Sequence, residues 1–201
     1  MKRIFLMAVA AIITVTSVNA QNGYADTKQE VAVSAGVWSN SDIFNAFETI
    51  ASVLVGVTTD NENFLGPVSV EYFYHLKPMI GLGGIAVYGQ MSQDFYMLNK
   101  KSGKDGDITN CYVTLMPAVK FDWLRKKHFG MYSKLGLGAT LRHETIDYID
   151  ESKSNHSSSA VHLNWQVSLL GLEAGGTRLR GFMELGMGEQ GIGLLGLRYK
   201  F

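Results

Sequence analysis

The chain has a single cysteine, Cys111, in 201 residues. One thiol excludes an intramolecular disulfide and any thiolate metal cluster. Proline is scarce, at three, which excludes proline-rich linkers and collagen-like repeats. Neither charge sign is in excess, with 18 basic and 18 acidic residues. If the first twenty residues are removed, Lys2 and Arg3 go with them and leave 16 bases against 18 acids. That balance gives no electrostatic footing for a nucleic-acid partner. Beyond the first twenty residues no apolar run reaches the ~18 residues that a spanning helix requires. No two histidines share a helix face at metal-ligand spacing, so neither a metal nor a cofactor is expected. What is plentiful is glycine, at 22, together with 11% aromatics, a composition suited to tightly packed β structure.

The N-terminus has its own logic. Lys2 and Arg3 precede an apolar run, Ile4 to Val15, and then Ser17-Val18-Asn19-Ala20. A positive start, an apolar stretch and a small-residue cleavage site read as a secretory signal peptide over residues 1–20. Cleavage there exposes Gln21, not a cysteine for lipid attachment. The remainder, 21–201, has the length of one domain.

From Val68 onward the chain breaks into segments of about ten residues that alternate with period two. Val68, Val70, Tyr72 and Tyr74 share one face, opposite Ser69, Glu71, Phe73 and His75. The odd residues Cys111 to Phe121 oppose Tyr112 to Asp122, and Leu135, Leu137, Ala139 and Leu141 oppose Lys134, Gly136, Gly138, Thr140 and Arg142. Val161, Leu163, Trp165, Val167 and Leu169 form a further apolar row, and Leu179–Met187 with Ile192–Phe201 supply a last pair. Val31, Val33, Ala35 and Val37 give a shorter first strand. Ile80 to Met91 is apolar and Gly-rich on both faces, so its register stays open. The strand count is about eight.

The connections differ in kind. His75–Pro78, Trp123–Phe129 and Gly175–Arg180 are short, whereas Asn99–Thr109 and Asp147–Ser159 are longer polar loops; Gly188–Gly191 is a short exception. One stretch breaks the period: Ile43, Phe44, Phe47, Ile50, Val53 and Leu54 recur at helical spacing. With Asn40 or Ser41 as cap they predict a short amphipathic helix from Asp42 to about Val57, with a buried strand over Ala51–Val57 as the competing reading. Pro117 cannot donate a ladder hydrogen bond, so it is expected at a bulge, at the interface, or outside the strand.

A sheet whose greasy face meets hydrocarbon must close, because a bilayer core satisfies no free edge. The sequence therefore predicts an all-β fold: an eight-stranded antiparallel transmembrane β-barrel with a short helix inserted after the first strand. The inward face then carries Glu71, Lys120, Lys134, Arg142, Glu184 and Arg198, whose mixed signs suit a cross-linked interior. The competing fold is a soluble barrel with the apolar face inside. The pattern resembles the small eight-stranded outer-membrane barrel proteins of the outer membrane protein X and W type. The signal Met1–Ala20, the alternating segments and the terminal Leu197-x-Tyr199-x-Phe201 carry the resemblance. It implies a bacterial outer-membrane location after cleavage of the signal peptide. It also implies contact with outer-membrane lipid and lipopolysaccharide, and an insertion signal at Leu197, Tyr199 and Phe201 read by the outer-membrane insertion machinery.

No residues assemble into convincing catalytic chemistry. His156 with Ser157, Ser158 and Ser159 clusters near Asp150 and Glu151, in a segment expected to be a solvated loop that cannot hold a relay. His143 and Glu144 beside Arg142 read as rim polar groups, with a lipid-headgroup site as the sharper alternative. Gly81-x-Gly83-Gly84 has no helix behind it and reads as small residues facing a crowded interior. Lys100, Lys101 and Lys104 with Asp105 and Asp107 form a mixed-charge loop that reads as solvated, with contact to anionic lipopolysaccharide as the sharper alternative. Arg125, Lys126 and Lys127 form a basic turn on the periplasmic side. The expected protein is a non-enzymatic outer-membrane barrel with a structural or surface-interaction role. A conduit or binder for small hydrophobic molecules, a lipid-modifying barrel enzyme and a soluble ligand-binding barrel are the alternatives.

Overall fold

A computed structural model of the chain describes residues 27–42, 57–97, 105–149 and 154–201. The signal-like segment and most of the expected helix, residues 43–56, lie outside the described residues. Eight strands follow in order: β1 Gln29–Val37, β2 Val57–Lys77, β3 Ile80–Met97, β4 Gly106–Arg125, β5 Phe129–Tyr148, β6 His156–Gly175, β7 Leu179–Gly188 and β8 Gly193–Lys200. Each pairs antiparallel with its neighbour in sequence, and β8 returns to β1, so the sheet closes into a barrel. The closing seam pairs Val31 with Tyr199 and Val33 with Leu197. Gln29 and Phe201 exchange both backbone hydrogen bonds at 2.9 Å.

The period of two sorts the side chains. Val33, Val70, Leu115, Leu135, Leu137, Leu163, Leu169, Leu195 and Leu197 are exposed on the outer face, while Glu71, Lys120, Lys134, Gln166, Glu184 and Arg198 are buried inside. A water-soluble barrel would show the reverse, so the soluble reading with its apolar face inside is corrected. β3 takes the register left open: Ile85, Val87 and Met91 face in, and Leu82, Ala86 and Tyr88 face out.

Bulky inward residues are accommodated by glycines directly across the ladder. Phe73 pairs with Gly83, His75 with Gly81, Tyr132 with Gly171 and Phe182 with Gly196. A Cβ on Gly171 would stand 2.4 Å from the Tyr132 ring, and one on Gly196 would stand 2.6 Å from the Phe182 ring. An eight-stranded barrel has room for side chains and little else. The glycines therefore make space for rings that lie flat across the neighbouring strand.

Four expectations need correction. First, the polar segments read as long loops are strand at their described ends: β4 begins at Gly106, β5 runs to Tyr148 and β6 begins at His156. β1 pairs with β2 only as far as Ala35 and Val68, and β7 joins β6 only from Gln166 and Gly188. Beyond those points β2 to β6 continue as an open five-stranded sheet. This sheet rises from the rim opposite the chain termini, here the distal rim. Polar composition misleads there because a strand with two wet faces needs no apolar row. Second, Pro117 sits in mid-strand on the outer face. Leu115 pairs with Ala139 and Ala118 with Gly136 in one register, and the β4–β5 ladder skips the two positions between. Pro117 keeps its place opposite Gly84 on β3, so the missing donor costs local pairing without a bulge. Third, the helical cap is Ser39, not Asn40 or Ser41. Asp42 N donates to Ser39 Oγ (3.2 Å) and Ser39 N donates to Asp42 Oδ2 (2.7 Å), a reciprocal capping box. Fourth, Val57 opens β2 and does not close a helix.

Candidate functional site

The lumen is the best-built polar site in the molecule, and its charges come from strands far apart in sequence. Five carboxylates (Glu30, Glu71, Asp122, Glu173, Glu184) and five cations (Lys120, Lys134, Arg180, Arg198, Lys200) are buried in it. Arg198, 0% exposed, stands at the centre. Its guanidinium lies 2.9 Å from Glu173, 3.3 Å from Glu71, 3.5 Å from Glu30 and 3.7 Å from Glu184. The Tyr132 and Phe182 rings lie 4.5 and 4.4 Å from it. Lys134 bridges Glu71 and Glu184, the latter at 2.8 Å. Tyr132 OH and Ser168 Oγ each donate to Glu184 at 2.6 Å.

Toward the terminal rim Lys120 Nζ meets Glu30 at 2.5 Å and Asp122 at 3.3 Å. Lys200 and Arg180 both hold Glu173. His75 Nε2 lies 2.6 Å from Asp122 Oδ2. Within this cluster the five carboxylates and five cations each lie within reach of at least one opposite charge, which meets the requirement that buried ions be paired. Part of the remaining lumen is apolar. Phe73, Ile85, Val87, Met116 and Ala118 form an apolar wall on β2, β3 and β4.

Of the six charged residues singled out in sequence, Glu71, Lys134, Glu184 and Arg198 form one cluster, and Lys120 joins it through Glu30 and Glu173. Arg142 stands apart near the distal mouth, bonded to Glu144 at 2.8 Å and to Asn110 at 3.2 Å. Glu30, Asp122, Glu173, Arg180 and Lys200 belong to the same lumen. The alternation could have found them: Asp122 sits on the Tyr112–Lys120 face, and Lys200 shares a face with Arg198.

Above the charges, the β7–β8 turn folds into the lumen. Gly188 and Gly191 adopt positive φ values of 135° and 108°, which L side chains rarely tolerate. They aim Glu189 and Gln190 inward, 2% and 0% exposed. Gln190 Nε2 donates to Ser69 Oγ (2.8 Å) and Glu71 Oε1 (2.7 Å). Glu189 accepts from Ser41 Oγ (2.6 Å), Ser41 N (3.2 Å), Asn164 Nδ2 (2.8 Å) and Thr114 Oγ1 (3.2 Å). Burial raises the Glu189 pKa, against the lowering effect of these donors. Burial likewise raises that of Asp42, against the Ser39 bonds. This is why Gly188–Gly191 was too short for an outer loop: it is a plug.

The candidate catalytic groups do not converge. His156 to Ser159 lie on β6 and not in a loop. Their neighbours Asp150 and Glu151 lie outside the described residues, as do Lys100, Lys101 and Lys104. His143 and Glu144 part company: Glu144 turns to Arg142, while His143 Nδ1 meets Ser159 Oγ at 2.9 Å on the exposed face of the extended sheet. Among the described residues no carboxylate bonds to that histidine, so the pair lacks the third group of a relay. Among the described residues no three His, Cys, Asp or Glu side chains are grouped to hold a metal. Leu197, Tyr199 and Phe201 share the outer face of the terminal strand, with the Tyr199 and Phe201 rings 6.0 Å apart.

No protein-family model matches the chain, and no curated protein does. Among solved structures it is similar to Ail, the attachment invasion locus protein of Yersinia pestis. In the structure of that protein in complex with the heparin analogue sucrose octasulfate, the TM-score is 0.48 at 14% identity, over 87% of this chain and 99% of that one. A second structure of Ail gives a TM-score of 0.43 at 12% identity, over 87% and 97%. At these values the likeness carries nothing about ligand or role; the closed eight-stranded barrel stands on its own strand pairing.

Proposed function

We propose that this chain is a non-enzymatic outer-membrane β-barrel with a structural or surface-interaction role. One observation carries the reading: the ring closes with its aliphatic and aromatic rows outward and ten paired charges inward. Such a surface is unfavourable in water and favourable in hydrocarbon. The terminal rim then faces the periplasm and the β2–β6 sheet rises into the exterior, where it offers a surface beyond the membrane. Outer-membrane lipid and lipopolysaccharide surround the belt. Leu197, Tyr199 and Phe201 form the outward apolar row, ending on two aromatics, that the insertion machinery would read. The signal-like residues 1–20 account for export.

The reading is tested by heat-modifiability with membrane fractionation. A folded barrel migrates differently before and after boiling, and the protein sediments with outer membranes. Identical migration, or recovery in the soluble fraction without detergent, overturns it. Protease added to intact cells is expected to cut within the extended sheet and spare the barrel. The conduit reading requires a path through a lumen in which Gln166, Gln190, Lys120 and Arg198 are 0% exposed. Steady conductance in planar bilayers would favour it over the structural role.

A further inference from the structure

A groove of about 480 Å³ lies on the outer face of the barrel near the terminal rim. Phe129, Leu172, Met183 and Leu195 border it, and Ala174 and Gly181 floor it. Cross-strand register produces the hollow: Phe129 pairs with Ala174, and Ala174 with Gly181, so small residues fall side by side on β6 and β7. A Cβ on Gly181 would meet nothing nearer than the Ala174 carbonyl oxygen at 3.9 Å. The space is open to whatever surrounds the belt.

The rim beside this groove is cationic. The β4–β5 turn exposes Lys127 and His128, and the β6–β7 turn exposes Arg178. His128 Nδ1 lies 3.0 Å from the carbonyl oxygen of Gly175, the residue after Ala174. The Lys126 and Lys127 carbonyls accept from Arg180 Nη2 at 2.7 and 2.9 Å, which ties the basic turn to the start of β7. The nearby acids Glu30, Asp122 and Glu173 are buried and paired within the lumen. Among the described residues, the turns of this rim expose no Asp or Glu side chain.

An apolar trough that ends at a row of cations fits an amphiphile of matching polarity. We propose that the groove and its rim hold an anionic glycerophospholipid of the leaflet at the terminal rim. One acyl chain lies over Ala174 and Gly181, and the phosphate sits between Lys127 and Arg178. The assignment rests on the membrane reading above. A second outer groove of about 390 Å³, lined in part by Gly84, Ala86 and Pro117, lies at mid-strand away from any basic turn and serves as its control.

The test is native mass spectrometry of the protein released from bilayers of phosphatidylethanolamine with phosphatidylglycerol. Phosphatidylglycerol is expected to remain bound in preference to phosphatidylethanolamine. The double variant K127Q/R178Q should weaken that retention by about fivefold for each cation removed. G181L should displace the lipid by filling the trough, and G84L should leave retention unchanged. Equal retention of the two lipids overturns the proposal, as does retention indifferent to both K127Q/R178Q and G181L. Both cations lie on exposed turns, so that variant remains informative if G181L fails to fold. Heat-modifiability of each sample separates the two failures. Wild-type protein that does not fold into bilayers overturns the membrane reading and this assignment with it. Folded protein without lipid preference overturns this assignment alone.

Discussion

Replacing Arg198 by methionine keeps an unbranched side chain and removes the guanidinium that lies over the Phe182 and Tyr132 rings and that four carboxylates share. Glu173 loses a guanidinium nitrogen at 2.9 Å and Glu71 one at 3.3 Å, and Glu30 and Glu184 lose weaker contacts at 3.5 and 3.7 Å. Breaking a buried ion pair from one side costs about 3–5 kcal/mol, because the remaining charge is left uncompensated. Lys120, Lys134, Arg180 and Lys200 still reach the same carboxylates, so the loss belongs inside that range and is not multiplied by four. With a urea slope of ~2 kcal/mol/M, the unfolding midpoint in vesicles should fall by roughly 2 M. The assay is the fraction of heat-modifiable band against urea. Glu71→Gln in the Arg198→Met background restores the balance of signs. The double variant should therefore be more stable than the two single losses predict by about 1 kcal/mol or more. Arg198→Lys should fall between wild type and Arg198→Met, since one ammonium cannot reach four carboxylates in the guanidinium's fork geometry. A loss under ~1 kcal/mol for Arg198→Met, or strict additivity with Glu71→Gln, would refute the claim that the lumen is held by mutual charge pairing.

Gly171→Ala should destabilise by about 1–3 kcal/mol, because its Cβ would stand 2.4 Å from the fully buried Tyr132 ring; an unchanged urea midpoint would show that the ring is free to move. Leu137→Arg, on the outer face at 63% exposure, should cost about 2–4 kcal/mol for folding into bilayers; a neutral result would place that row in water. Glu189→Gln addresses pH. Burial raises the folded pKa of Glu189 above its ordinary value of 4.5, so between those values the folded state binds more protons than the unfolded state. Stability from this group therefore declines as pH rises through that window and levels off above it. The Gln variant, whose amide can donate to Ser41 and Thr114 hydroxyls, should lose this dependence and gain on wild type as pH rises above about 4.5. Parallel pH profiles for the two proteins would contradict the assignment.

The faces of β2, β4, β5 and β6 were legible because every second residue from Val68 to His75, or from Leu135 to Leu141, repeats one polarity. β3 was not, since glycine carries no polarity and Gly81, Gly83, Gly84 and Gly89 leave both faces alike. The distal sheet was hidden for a related reason: Asp107 pairs with Asp147 and Thr145 with Ser157, pairs that read as loop when judged by composition. Of the lumen, the cluster around Lys134 and Arg198 could be guessed from facing, while the plug could not. Nothing in Gly188-Glu189-Gln190-Gly191 shows that its turn points inward until Gln166 and Ser69 are seen to receive it.

By itself the amino-acid order determined which side of most strands is greasy, β3 excepted, because a pleated chain alternates its side chains whatever its partners. It also determined that such strands must close, because no edge can stay unpaired in hydrocarbon. Only the tertiary structure decided which charge meets which, since Lys120 finds Glu30 ninety residues away and register around a ring is a property of all eight strands together. The structure alone also decided that five strands outrun the other three, because backbone pairing between neighbours, and not side-chain polarity, sets where a wet strand ends.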